Sequence, residues 1–167
     1  AVAGGTVSAN SASGNGGGIY ADGAVTLANV TVGGSDAANG NSAVAGAGLY
    51  AAGNVTLSGT TLVGSNIATG NGGGIYMSGN TLTMTDTSSV RNNSAANGAG
   101  IYANGNVTVT GGTVSANTAS GNGGGLYADG AVTLSGVTAD GNSAANGGGI
   151  YASTGSFLRV EGGSISG

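Results

Sequence analysis

The chain of 167 residues reads as all-β. It is expected to be one single-stranded parallel β-helix spanning 1–167, with about six coils of roughly 25 residues and three short strands per coil. Three observations predict this. All six tyrosines directly follow Ile or Leu, as Ile19-Tyr20, Leu49-Tyr50, Ile75-Tyr76, Ile101-Tyr102, Leu126-Tyr127 and Ile150-Tyr151, at intervals of 30, 26, 26, 25 and 24 residues. The segments between them alternate apolar and polar residues, the mark of a strand with one buried face. Gly-rich turns such as Ala21-Asp22-Gly23, Asn104-Gly105-Asn106 and Gly121-Asn122-Gly123 separate the segments.

Within each repeat the first strand is Gly-[Ile/Leu]-Tyr-Ala, as in Gly125-Leu126-Tyr127-Ala128. The second is Val-Thr-Leu or a close variant: Val25-Thr26-Leu27, Val55-Thr56-Leu57, Leu82-Thr83-Met84, Val107-Thr108-Val109, Val132-Thr133-Leu134 and Leu158-Arg159-Val160. The third is read at Thr6-Val7, Thr31-Val32, Thr61-Leu62, Ser89-Val90, Thr113-Val114, Thr138-Ala139 and Ser164-Ile165. Antiparallel hairpins do not require identical residues at identical phase. Stacked parallel coils do, because each side chain sits about 4.8 Å above its own equivalent. Six coils then make a rod on the order of 30 Å long.

Alternation assigns the inside. Ile19, Ala21, Val25, Leu27 and Val32 and their equivalents point inward as aliphatic columns, in a bore kept narrow by frequent Ala and Gly. Asn10, Asn93, Asn117 and Asn142 share one phase, three residues after the apolar residue of the third strand. An inward Asn can bond backbone groups and the next coil's amide, forming a ladder. By this count Asn66 falls one residue out of phase and Ser35 stands in the Asn position, so local bulges are expected there. The segment Gly33–Gly48 is longer by about five residues than a 25-residue coil and is expected to loop outward.

Composition narrows the function. Gly is 39 of 167, Pro and Cys are absent, and charged residues make up 5% against about 25% in ordinary soluble domains. There is no Gly-X-Y period, so collagen is excluded. The regular Val, Ile and Leu positions argue against disorder. With no Lys, two Arg and a net charge of −4, the chain lacks the cations that nucleic acid or a polybasic membrane patch demands. It has no run of 18 apolar residues, so this segment is not expected to insert in a membrane. Absence of Cys excludes disulfides and thiolate metal sites. Chains rich in Gly, Ala, Ser, Thr and Asn and lacking Cys are common among exported bacterial surface proteins, and that location is expected here.

The motifs also carry a family resemblance. GGGI at Gly16–Ile19 and Gly72–Ile75, GGGL at Gly123–Leu126 and GAGI at Gly98–Ile101 resemble the Gly-Gly-Ala-[Ile/Leu/Val] motif of the chlamydial polymorphic outer-membrane proteins. These are autotransporters with β-helical passengers. Val7-x-x-Asn10, Val90-x-x-Asn93 and Val114-x-x-Asn117 resemble their Phe-x-x-Asn motif, with Val in place of Phe. The resemblance covers essentially the whole chain. It implies a right-handed helix, a bacterial cell-surface location, and an adhesive or structural role without a cofactor.

The chemistry-bearing residues are sparse. Enzymes built on β-helices need clustered carboxylates and a His or cationic base. Here there is no His or Lys, and the six acids are Asp22, Asp36, Asp86, Asp129, Asp140 and Glu161. Asp22 and Asp129 share a phase four coils apart, roughly 19 Å by the coil spacing, too far to act on one bond. No catalytic residue is assigned and no enzyme is expected. Calcium-binding nonapeptides need an Asp in every turn. The positions equivalent to Asp22 and Asp129 are Ala52, Ser78, Asn104 and Ser153, so no metal site is expected and no cofactor. Poly-Gly runs such as Gly14–Gly18 precede no helix and cannot form a helix-based phosphate cradle. Sequons at Asn29, Asn54, Asn92 and Asn106 follow from the repeat itself.

Two outward columns remain. Tyr20, Tyr50, Tyr76, Tyr102, Tyr127 and Tyr151 form an aromatic stripe, suited either to stacking on itself or to contact with protein partners and sugars. Thr26, Thr56, Thr83, Thr108 and Thr133 form a threonine file. Beside it runs a mixed file of Ala28, Ser58, Thr85, Thr110 and Ser135. Regular Thr arrays of this kind are what ice-binding β-helices present. The expected function is a non-catalytic, extracellular structural or adhesive element of a bacterial cell surface, with ice binding as the alternative. Expected partners are copies of itself end to end, or other surface proteins and glycans. Since both ends fall on third-strand segments, a segment of a longer array or a fibre subunit is expected.

Overall fold

A computed structural model describes residues 1–79 and 81–167. The chain is a parallel β-solenoid of about six turns. Strand pairing is parallel throughout the described residues and joins each segment to its equivalent one coil away. No helix of the described residues is long and apolar enough to cross a membrane.

The tyrosine strands, Ile19–Ala21, Leu49–Ala51, Ile75–Met77, Ile101–Ala103, Leu126–Ala128 and Ile150–Ala152, form a six-stranded sheet. Each tyrosine is register-paired with the next. The second and third strands of the repeat join into one twelve-stranded sheet, because Thr81–Arg91 and Asn106–Ser115 run through the corner without interruption. A fourth segment, not expected from the sequence, follows the Asn position: Ser42–Ala43, Ile67–Ala68, Ser94–Ala95 and Thr118–Ala119 form a four-stranded sheet. Two residues with one inward Ala are too short to display an alternation, so the segment carries no period of its own.

Leu27, Leu49, Leu57, Ile75, Leu82 and Ile101 have at most 1% of their surface exposed and form the core with the valine columns. A smaller cluster of Ala43, Ala47, Ala68, Ala95, Ala99 and Ala119 fills the narrow side under the fourth sheet. Alternation thus assigns the inward columns correctly except at Leu62.

The Asn column is corrected at two places. The third strand pairs Val32 with Val63 and Thr31 with Leu62, so Val63, not Leu62, is the inward residue. Five residues lie between Leu57 and Val63 and between Met84 and Val90, against four between Leu27 and Val32. The extra residue is taken up at the corner, where Thr61 and Ser88 are fully buried. Counted from Val63, Asn66 is in phase. Asn41, not Ser35, fills the Asn position of the first full coil. The extra residues of that coil form an outward loop over 34–40 with a single 3-10 turn at Ala37–Asn39, capped by the Asp36 carboxylate on the Asn39 N–H. The longer segment therefore does bulge outward, but over a shorter span than Gly33–Gly48, because 41–48 is regular coil.

Left-handed residues turn the corner between the second and third strands, singly at Asn29, Gly59, Asp86 and Gly136 and in pairs at Gly4-Gly5, Gly111-Gly112 and Gly162-Gly163. Asn29 and Asp86 adopt this region at a steric cost, and their short polar side chains bond the backbone of the adjacent coil. The Asn29 carbonyl oxygen accepts from Thr60 N–H at 3.1 Å, and the Asp86 carboxylate accepts from Gly59 N–H at 2.8 Å.

Candidate functional site: the outward tyrosine and threonine columns

The tyrosine column is built from beneath. Four residues before each tyrosine a glycine with positive φ turns the chain: Gly16, Gly46, Gly72, Gly98, Gly123 and Gly147. A Cβ on Gly72 would lie 2.5 Å from the Ile75 carbonyl oxygen and 2.8 Å from the Tyr76 Cβ. Glycine is required there twice, by its φ and by the closeness of the strand that carries the ring.

Above that corner the rings stack. Successive centroids are 5.1, 5.0, 5.1, 4.6 and 5.2 Å apart, with interplanar angles of 3 to 14°. The ring faces along the column are therefore spent on one another, which leaves ring edges to the outside. Tyr20, at one end of the column, is 53% exposed. A partner approaching from the side meets a row of phenol edges repeated about every 5 Å, not a set of open aromatic faces.

Carboxylates stand beside the column at two levels. The Tyr20 hydroxyl donates to the Asp22 carboxylate at 2.8 Å, and this bond, with the nearby negative charge, raises the phenol pKa above its ordinary 10. Burial among the neighbouring rings raises that of Tyr102. Tyr127 is pushed up to about 12, first by burial and then by a hydrogen bond to Asp129 and its charge. Tyr20, Tyr102 and Tyr127 are thus held more firmly as neutral hydrogen-bond donors than an ordinary phenol.

The threonine file is in register over Thr26, Thr56, Thr83, Thr108 and Thr133, and is succeeded by Arg159. Arg159 forms an ion pair with Glu161 at the same end. In the neighbouring file, Thr85 turns its hydroxyl back to Asp86 at 3.1 Å and to the Leu57 carbonyl at 3.4 Å. That hydroxyl is committed to the protein and is not free to order water.

Inside, the Asn ladder runs Asn10, Asn41, Asn66, Asn93, Asn117 and Asn142. A second ladder, missed in the sequence, links Asn71, Asn97, Asn122 and Asn146 at the corner after the fourth strand. Its signal was available: these Asn each precede the left-handed Gly by one residue.

The six carboxylates are all exposed and spread over separate coils or faces. Among the described residues no pocket is present, and no group of three or more His, Cys, Asp or Glu could hold a metal ion. No family model, curated protein or solved structure matches the chain.

Proposed function

We propose that this chain is a non-catalytic structural and adhesive rod of a bacterial cell surface, working outside the cell without a cofactor. The observation that carries the reading is the tyrosine column. The largest outward side chains repeat in register along one axis and never converge on a point. A converging set serves a small substrate; a periodic line serves an extended partner or a neighbouring rod. Other surface proteins and glycans meet the column through hydrogen bonds from phenol edges and apolar contact along the ring rims. Copies of the chain are the other proposed partner, meeting end to end. Leu158, Val160 and Ile165 extend the core columns yet are 45 to 48% exposed, so a further coil from the same or another polypeptide would bury them.

The test is display of the chain on a bacterial surface and retention of those cells on protein- and glycan-coated supports. Replacing Tyr50, Tyr102 and Tyr151 with Phe removes their hydroxyl donors but keeps the stacks, and should cut retention while leaving the fold intact by circular dichroism. Unchanged retention by a folded variant would contradict the adhesive part of the reading. Electron microscopy at rising concentration tests the end-to-end part. Filaments are expected, and discrete short rods at every concentration would contradict it.

Ice binding is the second reading, favoured by five threonines in register on consecutive coils. If it holds, the chain shows thermal hysteresis that Thr83→Tyr with Thr108→Tyr removes. Absence of hysteresis in the unaltered chain eliminates it.

A further inference from the structure

Resting on the structural-rod reading, we propose that the tyrosine column is an oxidative cross-linking seam, at which a peroxide-driven one-electron oxidant joins two copies of this chain through dityrosine bonds.

The inventory of oxidisable groups points there. Cys, Trp and His are absent from the whole chain. The two methionines, Met77 and Met84, are fully buried in the core. Exposed groups that give up an electron readily are therefore the phenols, and all six phenols lie in one column. Lys is absent as well, so neither a disulfide nor a lysine-based isopeptide bond can tie one rod to another. Tyrosine coupling is the covalent chemistry left to a structural element of this composition.

Geometry decides where the bond forms. Removing an electron from Tyr20 requires a base for its proton, and the Asp22 carboxylate already accepts that hydrogen at 2.8 Å. The resulting phenoxyl radical has a neighbouring ring 5.1 Å away, and every further step along the column is 5.2 Å or less. Stacked rings so close exchange an oxidising equivalent, which makes the whole column one target. Coupling within the column is disfavoured, because a biaryl bond needs two ring edges to meet and here the rings lie nearly parallel, face over face. The outward edges, carrying the carbons ortho to the hydroxyl, meet their counterparts on a second rod.

The reaction balances with peroxide as oxidant. Two tyrosines lose one electron and one proton each, and the two phenoxyl radicals form one carbon–carbon bond between ortho positions. The ring hydrogens shift to restore both phenols. One hydrogen peroxide takes up the two electrons and two protons and becomes two waters.

The experiment treats the purified chain with hydrogen peroxide and a haem peroxidase, then applies denaturing electrophoresis and mass spectrometry. Covalent dimers and higher oligomers are expected, each link lighter by two hydrogens, with the joined peptides mapping to the tyrosine strands. Replacing all six tyrosines with Phe keeps the rings and should abolish the oligomers. A variant retaining only Tyr20 should stop at dimers. Mapping the links in the unaltered chain holds the proposal to account even if the six-Phe variant misfolds. Three results overturn it: no oligomers from the unaltered chain, dityrosine confined to monomers, or oxygen added at Met77 and Met84 with the tyrosines intact. Cell retention without peroxide reports separately on the adhesive reading, so the two can fail independently.

Discussion

Asn66 and Asn93, one coil apart in the core, are joined twice: the Asn93 Oδ1 accepts from the Asn66 side-chain Nδ2 at 3.0 Å and from the Asn66 backbone N–H at 2.9 Å. Asn93 in turn donates to the Val63 carbonyl at 3.1 Å and to Asn117 Oδ1 at 3.0 Å. Each amide in the middle of the ladder therefore uses all of its donors, and no buried side-chain nitrogen or oxygen among the described residues lacks a partner. A ladder so connected loses more than one bond when one member is removed.

Asn93→Ala should leave the Asn66 backbone N–H and one Asn66 Nδ2 hydrogen unpaired in the core, and should take a hydrogen bond from the Val63 carbonyl. Each orphan costs about 1–3 kcal/mol, so a loss of about 3 kcal/mol or more is expected from urea denaturation. Asn104, exposed in a turn, is the control, and Asn104→Ala should change stability by less than about 0.5 kcal/mol. Equal effects at the two sites would refute the ladder's role.

Glycines should divide sharply by position. A Cβ on Gly73 would sit 2.4 Å from the Ser94 carbonyl oxygen and 2.7 Å from that of Ala99, both backbone atoms of the next coil. Gly73→Ala must push the coils apart and should lower the thermal midpoint strongly. A Cβ on Gly23 would meet nothing within 4 Å, and its φ is not positive. Gly23→Ala should be neutral or stabilise by about 0.4–1 kcal/mol through the unfolded chain.

The contrast between these positions bears on what could be read from the chain alone. The tyrosine register was legible because Ile-Tyr and Leu-Tyr pairs occur nowhere else in the sequence and the strand around them never changes length. The core columns were legible for the same reason, through strict alternation. Asn41 and Asn66 were misread because counting from the third strand crosses two places where the coil length varies. One is the 34–40 loop, and the other is the extra corner residue buried as Thr61. Counting backward from Tyr50 and Tyr76 instead avoids both places, and Asn41 and Asn66 then fall nine and ten residues upstream, the same two spacings that Asn10, Asn93, Asn117 and Asn142 keep from their tyrosines. The stacking of the rings face on face, which turns the stripe from a set of aromatic platforms into a row of edges, was one of two options until the register and ring planes were known.

Alkaline pH should weaken the fold through the tyrosine column. Tyr127 has a folded-state pKa of about 12 against an ordinary 10, so between those values the folded chain holds the proton more tightly than the unfolded chain. Its contribution is fully present below pH 10 and is lost as pH rises through about 12. Stability should therefore fall over that window, and Tyr127→Phe should flatten the fall. Urea midpoints measured from pH 9 to 12 in both proteins check the sign; a stability that rises with pH would contradict it.

Tyr76 touches a ring on each side, Tyr50 at 5.0 Å and Tyr102 at 5.1 Å. Tyr76→Phe keeps both stacks and should be nearly neutral in thermal denaturation. Tyr76→Leu removes both and should cost about 1–3 kcal/mol, at about 0.5–1.5 kcal/mol for each aromatic pair.

The central claim is that the tyrosines act as one column and not as six separate rings, and near-ultraviolet circular dichroism of the tyrosine band tests it most directly. Tyr76→Leu removes one of six chromophores but two of the five stacking contacts. Coupled rings predict a loss of signal well beyond one sixth, with the far-ultraviolet β-spectrum unchanged. A loss of one sixth, with the fold intact, would mean that the rings are independent and that the column does not exist in solution.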